Sequence, residues 1–219
     1  MPPIEAIFTG NSEFTTTYPS APGPYYNDLR FKIRINGDRT VITLTDFPAI
    51  GTSFDTRLGT NTTVITRTGG GTGRYAAGTI VIPIALHFDQ SIDVPGLEED
   101  SDLSLELSTD PPGSPLRPEP FGNVTLVGSG QFIGGILGGY TGTLTIRGVI
   151  AQPVPTTVPD VRELRHGVAG SRVIAAGLVP RFTGRTSPNA WVFQQSPWAG
   201  TIASRGDTVR MLLRDTPIP

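Results

Sequence analysis

The stretch Leu29-Arg30-Phe31-Lys32-Ile33-Arg34-Ile35 alternates without a fault. Leu29, Phe31, Ile33 and Ile35 share one face; Arg30, Lys32 and Arg34 share the other. A period of two marks a strand with one buried face, because successive side chains of a strand point to opposite sides. Asn36-Gly37 follows, a pair suited to a type I′ turn, which needs positive φ at both central residues. Arg39–Phe47 then returns with Ile42 and Leu44 on one face. The expectation is a β-hairpin.

The same period recurs along the first 150 residues. In Thr79–Asp89, Ile80, Ile82, Ile84, Leu86 and Phe88 face one way. Pro83 lies among them and has no amide hydrogen for a ladder, so this strand is expected at an edge or at a bulge. Thr62–Thr68 is expected to pair with it through a hairpin connection at Gly69–Gly73. Leu103, Leu105 and Leu107 alternate, as do Val124, Leu126 and Phe132, and then Leu144, Ile146 and Ile150. Gly128 and Gly130 fall inside such a run. Interior glycines weaken a strand and mark bulges, tight curvature or close backbone approach, which closed barrels require. About seven to nine strands at this spacing give an antiparallel β-sandwich or β-barrel. No helical period is convincing before residue 158.

Composition sets outer limits. The chain has 219 residues, 27 Gly, 21 Pro and no Cys, so disulfides and Cys-based metal sites are excluded. Residues 1–150 carry 9 Arg/Lys and 15 Asp/Glu, and residues 151–219 carry 8 and 4. The first part is therefore acidic and the second basic. A basic surface favours an anionic polymer such as cell-wall glycan. The acidic larger part and the lack of a basic stripe argue against nucleic acid. Residues 1–20 lack a basic start followed by an apolar core, and the run Ile80–Leu86 is too short to cross a bilayer. The expectation is no membrane insertion. The location is the cell envelope or outside the cell if a leader was removed, and cytoplasmic otherwise.

Residues 151–157, with Pro153 and Pro155, form a stiff linker, which divides the chain into domains at 1–150 and 158–216. The second opens Val158-Pro159-Asp160-Val161 and runs through a helical pattern to Ala175-Ala176-Gly177-Leu178-Val179-Pro180. It continues Trp191-Val192-Phe193-Gln194-Gln195-Ser196-Pro197-Trp198-Ala199-Gly200-Thr201 and closes Arg205-Gly206-Asp207-Thr208-Val209-Arg210-Met211-Leu212-Leu213. That order of motifs resembles the PASTA domain of penicillin-binding proteins and serine/threonine kinases. From the residues, Asp160 can cap a helix beginning near Val161, with Leu164, Val168 and Ile174 toward a sheet and Gly177 as its left-handed end. Val209, Met211 and Leu213 alternate in a last strand. Both readings give one helix on a three-stranded sheet. The resemblance implies binding of muropeptides or a partner protein. Trp191 and Trp198 are then the candidates for stacking on sugars, with Arg181 and Arg185 holding carboxylates. The kinase glycine loop and a Ser-x-x-Lys nucleophile are both missing, because the only lysine is Lys32.

Other chemistry is sparse. Glu98, Glu99, Asp100 and Asp102 concentrate carboxylates in what reads as a turn, a candidate for calcium, which needs six to eight oxygens. The EF-hand spacing is absent. His87 lies beside Asp89, but no Gly-x-Ser-x-Gly elbow supplies a nucleophile, and two histidines in the chain make a zinc site a poor reading. Tyr25, Tyr26, Tyr75 and Tyr140 sit next to glycines or loops, as at a barrel mouth. The glycine-rich run Gly128–Gly142 is similar to strands of small β-barrel cyclases of the allene oxide cyclase-like and dirigent groups. The leading expectation is a non-enzymatic bacterial cell-envelope binding or structural protein with no cofactor, its second domain engaging cell-wall glycan or a partner. The alternative is a cyclase or isomerase that encloses its substrate in the barrel, with a buried Glu106, Asp46 or Tyr as acid or base.

Overall fold

The structure is a computed structural model that describes residues 2–21, 23–56, 59–76, 79–92, 98–110, 121–184 and 189–215. It divides into two compact units, Met1–Gln152 and Pro153–Pro219.

The N-terminal unit is built from ten strands: β1 (Ile4–Thr16), β2 (Tyr25–Ile35), β3 (Val41–Thr45), β4 (Ile50–Thr56), β5 (Gly59–Gly70), β6 (Thr72–Ala76), β7 (Thr79–Ile92), β8 (Glu98–Thr109), β9 (Gly122–Ile133) and β10 (Thr141–Ala151). β3 and β4 follow one another along a single line, and so do β5 and β6. The ladder therefore closes as an eight-stranded antiparallel barrel, each strand beside its neighbours in sequence. Closure is made by β1 and β10, paired from Ile7↔Ala151 to Thr16↔Gly142. Between the sandwich and the barrel, the barrel is what forms. It leaves no open edge in the cycle.

Period-two alternation becomes inside and outside. Leu29, Phe31, Ile33 and Ile35 of β2 are all buried, as are Ile80, Ile82, Ile84, Leu86 and Phe88 of β7. Phe8 and Phe31 stack with ring centroids 4.6 Å apart, and Phe14, Phe88 and Phe132 form a second aromatic group. Aromatic rings bury much area per residue, so a few of them fill a narrow barrel.

Three local expectations change. The β2–β3 hairpin forms, but not through a two-residue type I′ turn. The loop spans residues 36–40, Arg39 takes the left-handed conformation (φ 56°), and Asn36 Oδ1 accepts from the Thr40 and Val41 amides. Asparagine serves here by bonding the backbone ahead of it. Gly69–Gly73 is not a hairpin connection, because the chain continues from β5 into β6 in the same direction. The register of β5 on β7 slips between Arg67 and Gly69. Of the two settings read for Pro83, the bulge is the one that occurs: β7 has a strand on both sides. The Gly71 amide donates to the Pro83 carbonyl at 2.7 Å. In an antiparallel strand a residue's nitrogen and carbonyl face the same neighbour. The missing N–H of Pro83 thus points at the bulge, where none is needed.

The C-terminal unit contains β11 (Pro155–Thr157), α1 (His166–Ala175), β12 (Val179–Gly184), β13 (Trp191–Ser196), β14 (Ile202–Ser204) and β15 (Thr208–Arg214). One helix lies on the three-stranded sheet β12-β15-β13, over a core of its own that includes Val161, Ala169, Val173, Val192, Val209 and Met211. The Pro-rich segment read as a linker supplies a strand, since Pro155–Thr157 pairs with β14. The helix starts five residues later than expected. Val161 N–H donates to Gln195 Oε1 and Glu163 N–H to the Val192 carbonyl, while Glu163 itself is left-handed (φ 62°). That left-handed residue interrupts a helical run from Val161, and the Leu164 carbonyl accepts from Val192 N–H of β13, so α1 begins at His166 with no side-chain cap. The later start rotates the buried face to Ala169, Gly170 and Val173, leaving Val168 and Ile174 exposed. Gly177 ends the helix in the left-handed conformation (φ 73°), where glycine has no Cβ penalty.

Candidate functional site

Cross-strand register builds one distinctive layer in the barrel. Ile50, Ile65, Phe88 and Ser101 form a buried row across β4, β5, β7 and β8. Two residues nearer one end of the barrel, the next row is Thr52, Thr63, Gln90 and Glu99. The lining changes from apolar to polar within one step of the pleat. Gln90 and Thr63 are buried, and so is Asn61, to which the Thr63 hydroxyl donates at 3.0 Å.

A cavity of about 30 Å³ lies at this level. Its floor includes Phe14, Ile65 and Phe88, and its wall includes Thr63 and Gln90. Ala21 and Leu137 cover it from the β1–β2 and β9–β10 connections. Gln90 Oε1 is buried with no hydrogen-bond partner. Tyr25 also lines the cavity, and burial raises its pKa above the ordinary value, so its hydroxyl stays protonated at neutral pH. Of the four tyrosines singled out in the sequence, Tyr25 reaches this cavity. Tyr140 meets Tyr18 edge to face at 5.1 Å, Tyr75 is buried in the core, and Tyr26 is exposed.

The two carboxylates that the enclosed-enzyme alternative names, Asp46 and Glu106, lie elsewhere. Asp46 is exposed and faces Lys32 at 3.8 Å. Glu106 is exposed on the outside of β8, at the rim of an open depression of about 440 Å³ that Pro83, Ala85, Ser104 and Ser129 help to line.

The acidic run is strand rather than turn. Glu98, Glu99, Asp100 and Asp102 all belong to β8, whose alternation sends Asp100 and Asp102 to the outer face and Glu99 to the opposite one. The side chain of Glu98 lies outside the described residues. Carboxylates on two faces of a sheet do not converge on one cation, and among the described residues no three His, Asp or Glu groups do so. Instead, Asp102 and Asp100 flank His87, with Nδ1 2.9 Å from Asp102 and Nε2 3.9 Å from Asp100. The hydrogen bond to Asp102 raises the His87 pKa, and the charges of Asp100, Asp102 and Asp89 add to the rise.

In the C-terminal unit, Arg181 and Trp191 lie on the sheet face turned away from the helix. Arg181 is level with Arg210, and Trp191 with Arg214. Trp198 follows β13 at its other end, roughly 20 Å of strand from Trp191 at about 3.3 Å per residue, and is 61% exposed. The two tryptophans therefore do not share one patch. Arg185 lies outside the described residues. Three rings are accompanied by a guanidinium: Arg162 is 5.9 Å from the exposed Trp198 ring, and of the half-buried rings Trp191 has Arg165 at 5.4 Å and Phe193 has Arg214 at 3.4 Å. Arg162 is itself oriented by Asp160, whose carboxyl it hydrogen-bonds and holds below the ordinary carboxylate range. Asp160 thus positions an arginine instead of capping the helix. Sequence reasoning missed Arg162, Arg165, Phe193, Arg210 and Arg214. The only signal for them was the basic balance of the tail.

The fold and these sites define a class: an eight-stranded antiparallel barrel followed by a small helix-on-sheet unit with arginine-backed aromatic rings. No family model, curated protein or solved structure matches the chain.

Proposed function

We propose that this is a non-enzymatic binding protein of the bacterial cell envelope, whose C-terminal unit is a PASTA-like module that engages cell-wall glycan. The observation that carries this reading is the exposed Trp198 ring with Arg162 beside it, together with the half-buried Trp191 and Phe193 rings beside Arg165 and Arg214. Aromatic faces stack on the apolar faces of sugars, and a guanidinium beside them takes a carboxylate of an attached peptide or acidic sugar through two parallel hydrogen bonds. The excess of arginine over acid in the tail supports the same partner by long-range attraction.

The barrel supports this reading over the enclosed-enzyme alternative. Enclosing a small-molecule substrate takes a pocket of about 300 Å³ or more, whereas the space beside Gln90 and Tyr25 amounts to about 30 Å³.

The test is retention of the full chain on insoluble peptidoglycan beside an inert control protein of similar charge. The parent chain is expected to be retained and the Trp198→Ala variant to bind about tenfold more weakly, the scale of one lost aromatic contact. Retention no greater than the control would overturn the proposal. Undiminished retention of Trp198→Ala would move the contact to the Trp191, Phe193 and Arg181 face.

A further inference from the structure

We propose that the open face of the C-terminal sheet binds a phosphate group, held between Arg181 of β12 and Arg210 of β15. The site uses neither Trp198 nor Arg162, and it does not depend on glycan binding.

β12 and β15 run parallel, with Arg181 level with Arg210. Val209, Met211 and Leu213 take the buried positions of β15, and Arg210 is exposed between them on the face turned away from α1. Neighbouring strands lie about 4.8 Å apart, so two guanidiniums leave the backbone side by side. Like charges directly opposite one another destabilise a sheet. No counter-charge lies on the strands, because β12, β13 and β15 contain no Asp or Glu. The nearest acids along β15 are Asp207 and Asp215, beyond its two ends and roughly 10 and 17 Å of strand from Arg210. Asp207 is turned to the Ser204 amide, 2.9 Å away. Among the described residues no carboxylate meets Arg181 or Arg210. A forked, always charged pair of this kind is suited to an anion from outside the chain.

The row defines the anion. Ser196 of β13 lies level with Arg210 on its other side and is exposed. Arg181, Arg210 and Ser196 therefore present two planar forks and a hydroxyl in one line across the sheet. A carboxylate has one charge and two oxygens, which a single guanidinium already engages in a bidentate pair. It would leave the second arginine uncompensated. A phosphate monoester carries about −1.5 to −2 charge at neutral pH and offers three acceptor oxygens. It can accept from both guanidiniums and from Ser196 at once. The group is therefore a phosphate and not a carboxylate. Arg214 lies further along β15, over the Phe193 ring at 3.4 Å, and is not part of the pair.

The experiment titrates the full chain at fixed ionic strength with sodium phosphate, glucose 6-phosphate and sodium acetate, and follows the arginine Nε–H signals by NMR. The expected result is a saturable shift at Arg181 and Arg210 with both phosphates. Acetate should bind at least about tenfold more weakly, the scale of one lost charge-assisted hydrogen bond. Arg210→Gln should weaken phosphate binding by about the same factor. Arg172→Gln, which removes the same charge from an exposed position on α1 at the other face of the sheet, should bind as the parent does. No saturation with either phosphate, an equal response to acetate, an equal loss in Arg172→Gln, or undiminished binding by Arg210→Gln would each overturn the proposal. Tighter binding of glucose 6-phosphate than of free phosphate supports it with a sugar-borne phosphate as ligand, and equal or weaker binding supports it with the free ion. Should Arg210→Gln not fold, Arg181→Gln takes its place, and the comparison of phosphate with acetate on the parent decides in either case.

Discussion

At the scale of single residues, His87 is the clearest example of a side chain whose behaviour its neighbours set. It sits on the outer face of the barrel with Asp102 at 2.9 Å and Asp100 at 3.9 Å. Its pKa is raised above 6.5 by these carboxylates. A raised folded-state pKa means that the charged form is favoured by folding. The resulting stabilisation is fully present below 6.5 and is lost as the pH climbs through the elevated value. The parent should therefore melt higher than His87→Gln at about pH 6, and the gap should be narrower at about pH 8. Melting curves at the two pH values check this, and a gap that widens with pH would contradict it. Gln195 is another such residue. It is 1% exposed, accepts from Val161 N–H and donates to the carbonyls of Pro159 and Pro197. One amide thus ties the entry segment of the C-terminal unit to the end of β13. In the sequence it was only one letter of the motif around Trp198. A hydrogen-bonding role of that kind has no periodicity to betray it.

At the scale of elements, glycines determine how closely strands approach. Gly10 of β1 and Gly148 of β10 face one another in register at the closing seam. A Cβ on Gly148 would lie 2.4 Å from the Thr9 carbonyl oxygen and 2.6 Å from the Phe8 ring, while a Cβ on Gly51 of β4 would meet nothing within 4 Å. Gly148→Ala should cost about 1–3 kcal/mol, the usual range for overpacking. Gly51→Ala should be neutral or mildly stabilising, since it lowers the entropy of the unfolded chain. Urea unfolding of both variants tests the contrast, and equal midpoints would refute it. The strands were legible because alternation is a local property: β2, β7 and the apolar positions of β8 can be read from their own residues. The helix start was not. Asp160-Val161 has the local character of a helix beginning, but Glu163 is left-handed and Val192 of β13 takes the Leu164 carbonyl, and that competition is tertiary. The acidic run was misread for a related reason. Charge suggested a loop, and pairing of β8 with β7 made it strand.

For the whole molecule, the two units have separate buried clusters. One is centred on the barrel rings and the other on Val161, Val192 and Met211. Each is therefore expected to fold alone. Fragments 1–152 and 153–219, made separately, should each give dispersed NMR spectra that overlay on those of the full chain. A fragment spectrum collapsed into the random-coil range would contradict this. The smaller unit is the more demanding case, because a chain of some 60 residues buries only about 60% of its unfolded surface.

Residue order alone determined that this protein is mainly β, that it carries one late helix ended by Gly177, and that its basic charge is concentrated behind an acidic first part. These are properties of neighbours along the chain, readable from period and composition. Tertiary structure decided that the strands close as a barrel, that Pro83 lies at a bulge, that Asp100 and Asp102 serve His87 instead of gathering with Glu99, and that Thr52, Thr63 and Gln90 form one polar row. Each of these depends on register between strands distant in sequence. A shift of one residue turns every side chain to the opposite face, so no stretch read by itself can foretell which residues will meet.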